Sequence, residues 1–230
     1  MKLDYIIDQD GQDFVFENEW DTVIPVSFEM VGDTRTVTYF PEIEREMKSH
    51  FAKFGKNPFE KSALEALWAT LAPYMQKWGY ADDKFRDRWG YILSFSPAAT
   101  PSITPFSSTV ALETQHEDQN QTTYDIEYSI DSGCLGFGTF EDGQVVSLAM
   151  THSPLPSSPT TVEVGVETIP AARKKGYAKS NLAALTVALG TLGHTTEYRC
   201  QRYNHASRKT ALAVGFREIG KYYYYVGRKV

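Results

Sequence analysis

Arg173, Lys174 and Lys175 stand directly before Gly176, which lets the backbone turn tightly, and Ala178 is small enough for close approach of a ligand. Upstream, Val162, Val164 and Val166 alternate with Glu163, Gly165 and Glu167, the period of two expected of a strand over 161–169, so both carboxylates share one face. Two chemistries follow. A helix opening in a basic glycine turn presents unpaired N–H groups and its positive dipole end, and the expected occupant is an anion such as a phosphate. A carboxylate on the neighbouring strand can serve as a base. Each has a plainer alternative, a basic loop facing water and carboxylates that face solvent or pair with Arg and Lys.

The elements around these residues form a strand–turn–helix–strand–helix unit. Pro170 ends the first strand, and Leu182, Leu185, Val187, Leu189 and Leu192 give an apolar helical stripe that stops at Gly190 or Gly193. A strand over 195–201 follows. Asn204, a preferred capping residue, opens the second helix, which runs to Gly215 and Phe216.

Arg173, Gly176 and Ala178 match the RxxGxA motif, and Asn204, Ser207, Gly215 and Phe216 sit at the offsets of NxxAxxxxxxxGF, with Ser207 where Ala is usual. In that order, these motifs make the stretch 134–230 resemble the GNAT acyl-CoA N-acyltransferases, and the run 167–178 is most similar to the zwittermicin-resistance type. The resemblance implies an α/β (α+β) fold with a mixed, mostly antiparallel sheet and flanking helices. It implies acetyl-CoA as donor and a primary amine as acceptor, which attacks the thioester directly. Backbone groups of Val166 and Thr168 would pair with the pantetheine. Arg173, Lys174, Lys175, Gly176, Tyr177 and Ala178 would hold the diphosphate, with Lys179 a further source of charge. Asn204 would reach the pantetheine arm as well as capping its helix, and Ser207 could share either role. Glu163 best matches the family's base, and an N–H near Val166 or Glu167 would meet the oxyanion. The pattern departs at Ala211, where many members carry the tyrosine that protonates the thiolate; Tyr222, Tyr224 or water could substitute. A CoA-binding sensor or interaction module without turnover is the alternative function.

The remaining chain sets the frame. With 230 residues, 42% apolar and 13% aromatic, it can bury a sizeable core. Short β-rich runs occupy 3–39, with a turn at 31–33. Helices are expected over 41–54 and, after Asn57 and Pro58, to Gly79 with a kink at Pro73; residues 80–94 read as a helical turn and a short strand. The proline-containing segment 96–108 reads as a linker between an α+β region, 1–100, and an acetyltransferase domain, 107–230. Beyond it, strands are expected over 108–113 and 122–130, and a hairpin over 135–150 turns at Asp142 and Gly143. Residues 216–228 read as one or two strands carrying four consecutive tyrosines.

Local charge is −6 over 1–100, −8 over 101–160 and +8 over 161–230. The basic final third suits a phosphate-bearing ligand. The acidic stretch 113–142 could attract a cationic acceptor or simply be a solvated surface. Nucleic acid is excluded as the expected partner by the overall charge of −6 and the absence of a recognition motif, and phosphoryl transfer by the lack of GxxxxGK[ST]. The five scattered histidines and the two cysteines, Cys134 and Cys200, give no metal signature, and free thiols point to a reducing compartment. No leader or membrane-spanning run is visible, so the expected location is the cytoplasm, with a homodimer left open.

Overall fold

The computed structural model of the chain describes residues 2–7, 15–16, 22–55, 60–82 and 88–229. The chain divides into two units, Met1–Gly90 with Gly220–Val230, and Tyr91–Ile219.

In the first unit, β1 (Lys2–Ile7) runs parallel to β4 (Thr34–Tyr39), which pairs antiparallel with β3 (Thr22–Val31). β3 also pairs with β2 (Val15–Phe16), and with β12 (Arg217–Lys229), whose far end pairs with β5 (Tyr80–Asp82). The turn at 31–33 and the expected helices form, as α1 (Glu44–Phe54), after a 3-10 turn at Pro41–Ile43, and α2 (Lys61–Lys77), which continues through Pro73. Their apolar faces enclose Phe28, Ile43, Met47 and Leu71, and Trp68 stacks on Tyr225 with ring centres 4.3 Å apart. The expected cap at Asn57 and Pro58 and the helical turn after Asp82 fall outside the described residues.

In the second unit the strand order is β6 (Arg88–Phe95), β11 (Thr195–Gln201), β10 (Thr161–Thr168), β9 (Gln144–Thr151), β8 (Gly136–Glu141), β7 (Thr109–Ala111). All pairings from β7 to β10 are antiparallel, and β10 with β11 is parallel. Helix α4 (Tyr177–Thr191) lies on this sheet and buries Leu182, Leu185 and Leu189 against Val162, Val164 and Tyr198. Two residues of the expected stripe, Val187 and Leu192, are instead exposed, and Ser180, Asn181 and Thr186 are buried in their place. Helix α5 (His205–Val214) follows β11 and ends on Gly215.

One expected strand is a helix. Residues 122–130 alternate in polarity, yet Ile126–Asp131 forms α3, after a 3-10 helix at Thr114–Gln119. Ile126 and Ile130, four apart, satisfy a helical face as well as a strand. Capping decides the outcome: Asp125 Oδ1 accepts from Tyr128 N at 2.8 Å, and Glu117 Oε2 accepts from Ile126 N at 2.6 Å. The segment 96–108, expected as a linker, is fastened within this unit. Ser102 N donates to Val214 O at 2.8 Å and Phe106 N to Ser180 Oγ at 2.7 Å.

Among the described residues no helix is long and apolar enough to cross a membrane, and no three His, Cys, Asp or Glu are grouped to hold a metal. Leu182 has no exposed surface, so Leu182→Ala is expected to lose about 2–5 kcal/mol of stability, read by urea denaturation.

Candidate active site

The site begins where β10 and β11 part. Their parallel register runs from Thr161↔Thr195 to Val164↔Tyr198 and ends there, although both strands continue. β10 keeps its partner on the other edge: Glu163 O accepts from His152 N and Val146 O from Ile169 N, each at 3.0 Å. Odd-numbered residues of β10 therefore exchange bonds with β9, and the peptide groups of Val166 and Thr168 turn toward the opened side. The result is a strand edge bearing backbone donors and acceptors, beside a gap.

At the far end of that edge the chain turns through Pro170–Ala172 into α4. Lys174 has φ +66° and Gly176, the N-cap, φ +92°. Left-handed residues alternating with ordinary ones point successive N–H groups to one side, an anion-binding nest. Among the described residues, the amides of Lys174, Lys175, Gly176, Tyr177 and Ala178 donate to no protein acceptor; the first amides returned to the helix are those of Lys179 and Ser180, both to Gly176 O at 3.1 Å. Gly176 also lies against Phe106, whose ring a Cβ there would meet at 3.2 Å.

The side chains of this turn divide their work. Arg173 Nε donates to Thr168 O at 3.2 Å and so ties the turn to the end of β10, while Lys174 is exposed. Lys175 Nζ lies 2.7 Å from Glu141, and Tyr177 Oη donates to the same carboxylate. These two hydrogen bonds, Lys175's foremost, hold the Glu141 carboxyl below its ordinary pKa, and raise those of both partners.

A buried polar cluster fixes α4 relative to the sheet. Asn181 Oδ1 accepts from Thr139 Oγ1 at 2.6 Å and from Thr109 Oγ1 at 3.2 Å, and Asn181 Nδ2 donates to Ser147 Oγ at 3.2 Å. Ser147 Oγ donates to Glu167 O at 2.9 Å and lies 2.7 Å from Thr168 Oγ1, while Ser180 Oγ lies 2.6 Å from Thr109 Oγ1.

The opposite face of β10 carries Glu163, Gly165 and Glu167. Glu163 Oε1 lies 3.4 Å from His152 Nδ1, and Oε2 lies 3.4 Å from Arg199 Nε, which also donates to Glu197 Oε1 at 2.7 Å. Burial pushes the Glu163 pKa up, but the hydrogen bond and charge of His152 and the charge of Arg199 outweigh it and leave the carboxyl lowered. Glu167 turns away to accept from Thr123 N at 3.0 Å and Thr123 Oγ1 at 2.8 Å. That contact steadies the loop carrying Tyr124, whose carbonyl accepts from Asn120 Nδ2 at 2.5 Å. A Cβ on Gly165 would collide with both Tyr124 Oη and His152 Nε2.

On α5, Asn204 caps the helix, its Oδ1 accepting from Ser207 N at 3.1 Å, and Ser207 Oγ lies 2.8 Å from Tyr198 Oη. Ala211 is fully buried in the core. Val166 and Thr168, residues 173–178, Glu163, Asn204 and Ser207 all belong to the second unit. Tyr222 belongs to the first, on β12, where its ring stacks on Tyr224 with centres 5.7 Å apart.

His152, Tyr124, Arg199, Tyr198 and Asn181 were not singled out by sequence. The signal that could have found the first two is Gly165, since a glycine inside a strand marks close approach of another group.

A family model described as GNAT acetyltransferase matches residues 109–225, half of the chain, and the chain belongs to that family. The chain is also similar to solved structures. A GCN5-related N-acetyltransferase-like protein from Streptococcus suis is similar at 19% identity and a TM-score of 0.45, over 69% of this chain and 68% of that one. A GCN5-related N-acetyltransferase from Kribbella flavida shares 14% identity, with a TM-score of 0.46, over 70% of this chain and 64% of its own. One from Sphaerobacter thermophilus shares 13%, with a TM-score of 0.46, over 94% of this chain and 83% of its own. No curated protein matches the chain by sequence.

A carboxylate whose pKa falls on folding contributes stability above its unfolded pKa and loses it as pH falls through the folded one. The Glu163→Gln variant is therefore expected to show a shallower loss of stability than the parent as pH drops below the ordinary carboxylate range, measured by urea denaturation across pH.

Proposed function

We propose that the chain is an acetyl-CoA-dependent N-acetyltransferase that acetylates a primary amine, with the chemistry in residues 107–230. The observation that carries this reading is the run of five unbonded amides at the mouth of α4, in line with the opened edge of β10. A diphosphate would complete those donors and meet the helix dipole, with the Lys174 and Lys175 ammonium groups beside it. The pantetheine arm would then lie in the gap, paired with the peptide groups of Val166 and Thr168 as a strand would be. Asn204 and Ser207, at the start of α5 after β11, would border the gap from that side.

Bound there, acetyl-CoA supplies an activated acyl carbon, and the protein has three tasks. An aliphatic amine, with a pKa of about 10, must be made neutral, which suits the acid–base face around Glu163. A backbone N–H of the opened edge, that of Val166, would meet the developing oxyanion. The departing thiolate must be protonated, and with Ala211 sealed in the core the hydroxyl of Tyr198, linked to Ser207 on α5, is the replacement proposed in this unit. Burial, the larger influence, raises the Tyr198 pKa, so the phenol keeps its proton at neutral pH. Two free thiols and a phosphate-bearing donor fit the cytoplasm.

A CoA-binding sensor without turnover is the second reading, favoured by Ala211 alone. Thermal melts separate these readings from failure of both. At a hundredfold excess over Kd, CoA or acetyl-CoA is expected to add about 2.7 kcal/mol of stability, and Gly176→Val, which closes the nest, is expected to abolish the shift. Absence of any shift in the folded parent protein would remove both. Thiol release from acetyl-CoA across a panel of polyamines, aminoglycosides and lysine peptides then divides enzyme from sensor.

A further inference from the structure

Glu163 is poorly placed to meet an amine itself. Its two oxygens are directed at His152 and Arg199, and the latter also serves Glu197, the carboxylate directly across the ladder. Both partners lower its affinity for a proton. His152 is differently situated. It follows β9, is half-exposed, and turns Nδ1 toward Glu163 Oε1 while Nε2 reaches over Gly165. Nδ1–H directed at a carboxylate leaves Nε2 with its lone pair available, the tautomer a general base requires.

Gly165 makes this arrangement sterically feasible. It sits one residue past the last β10–β11 pair, at the point where the gap opens, and any side chain there would displace His152 Nε2 and Tyr124 Oη together. Tyr124 is not a casual neighbour. Asn120 holds its carbonyl, and Glu167 holds the preceding residue through two hydrogen bonds. Burial first, and then nearby Tyr198, Glu167 and Glu163, push its pKa up to about 12, so its phenol is neutral and donates. Thus a phenol hydroxyl and an imidazole nitrogen meet on one glycine, beside the proposed position of the thioester.

We propose that His152 Nε2 takes the proton from the acceptor amine, that Glu163 acts as a positioning residue fixing the imidazole through Nδ1, and that Tyr124 Oη orients the amine over Gly165. The inference rests on the acetyltransferase reading above. In the step, the amine nitrogen forms a bond to the thioester carbonyl carbon as its proton passes to Nε2. The carbon–sulfur bond breaks and its electron pair leaves with sulfur. The thiolate gains a proton either from Tyr198, which takes one back from water, or from water directly, and the imidazolium returns its own to water. One amine and one thioester thus give one amide and one thiol with no net change in protons. The charged groups facing His152 are Glu163 from β10, with Arg199 and Glu197 behind it on β11.

The test needs no knowledge of the acceptor. Bromoacetyl-CoA carries its reactive carbon next to the thioester carbonyl, and a nucleophilic nitrogen there displaces bromide and forms a stable carbon–nitrogen bond. Peptide mass spectrometry of the full-length protein is expected to place the adduct on His152, and both His152→Gln and His152→Ala to lose it while CoA still raises the melting temperature. Glu163→Gln is expected to slow labelling several-fold with that shift retained, an effect that a merely structural Glu163 would not produce. A protein that CoA stabilises but that labels elsewhere, or at an unchanged rate in Glu163→Gln, overturns the proposal and leaves the acetyltransferase reading standing. A parent protein that CoA does not stabilise fails that earlier reading instead.

Discussion

The arrangement of the second unit depends on the side chain of Asn181. A carboxamide with no exposed surface has to find partners for its oxygen and its amide group, because leaving either unpaired costs about 1–3 kcal/mol. Here it finds them on Thr109, Thr139 and Ser147, on three different strands, and Ser147 passes the connection to Glu167 and Thr168 at the end of β10. An apolar residue at 181 could pack with equal density but would tolerate small rotations and slides of the helix. Directional bonds to three strands do not. The first turn of α4, and with it the run of open amides, is therefore held at a set distance from the last residues of β10.

The same logic explains which polar residues remain for chemistry. Of the acidic stretch 113–142, Glu117 and Asp125 cap the start of α3, and Glu141 holds Lys175 and Tyr177. On β10, Glu167 is committed to the Tyr124 loop. Glu163 alone of the strand's carboxylates faces the acid–base cluster, and it does so as one member of a chain running from His152 to Arg199 and Glu197. Two carboxylates directly opposite on neighbouring strands would repel, and Arg199, lying beside both, offsets that repulsion.

Much of this was legible in the sequence where local rules are strong. The alternation of Val162, Val164 and Val166, the Gly176 turn, the Asn204 cap and the Asp142–Gly143 hairpin each carry their instruction within a few residues, and each element formed. The sequence does not distinguish α3 from a strand, because Ile126 and Ile130 fit either period and one of the two deciding caps comes from Glu117, nine residues away from Ile126. Segment 96–108 has a linker's composition, but its attachment to Val214 and Ser180 is a matter of long-range hydrogen bonds that composition does not encode. His152 and Tyr124 join the site only because the sheet brings three separate stretches over one glycine.

Glu141 places a negative charge at the rim of the very turn whose five amides have no protein acceptor, with the Lys175 ammonium 2.7 Å away. An incoming group must therefore compete for that lysine with a carboxylate already in contact. A singly charged carboxylate gains little from the exchange, whereas a polyphosphate, with more charge and more acceptor oxygens, offers the lysine and the five amides more than it displaces. Under the acetyl-CoA reading, the resident carboxylate would work as a threshold, discouraging weak anions from lodging in the turn.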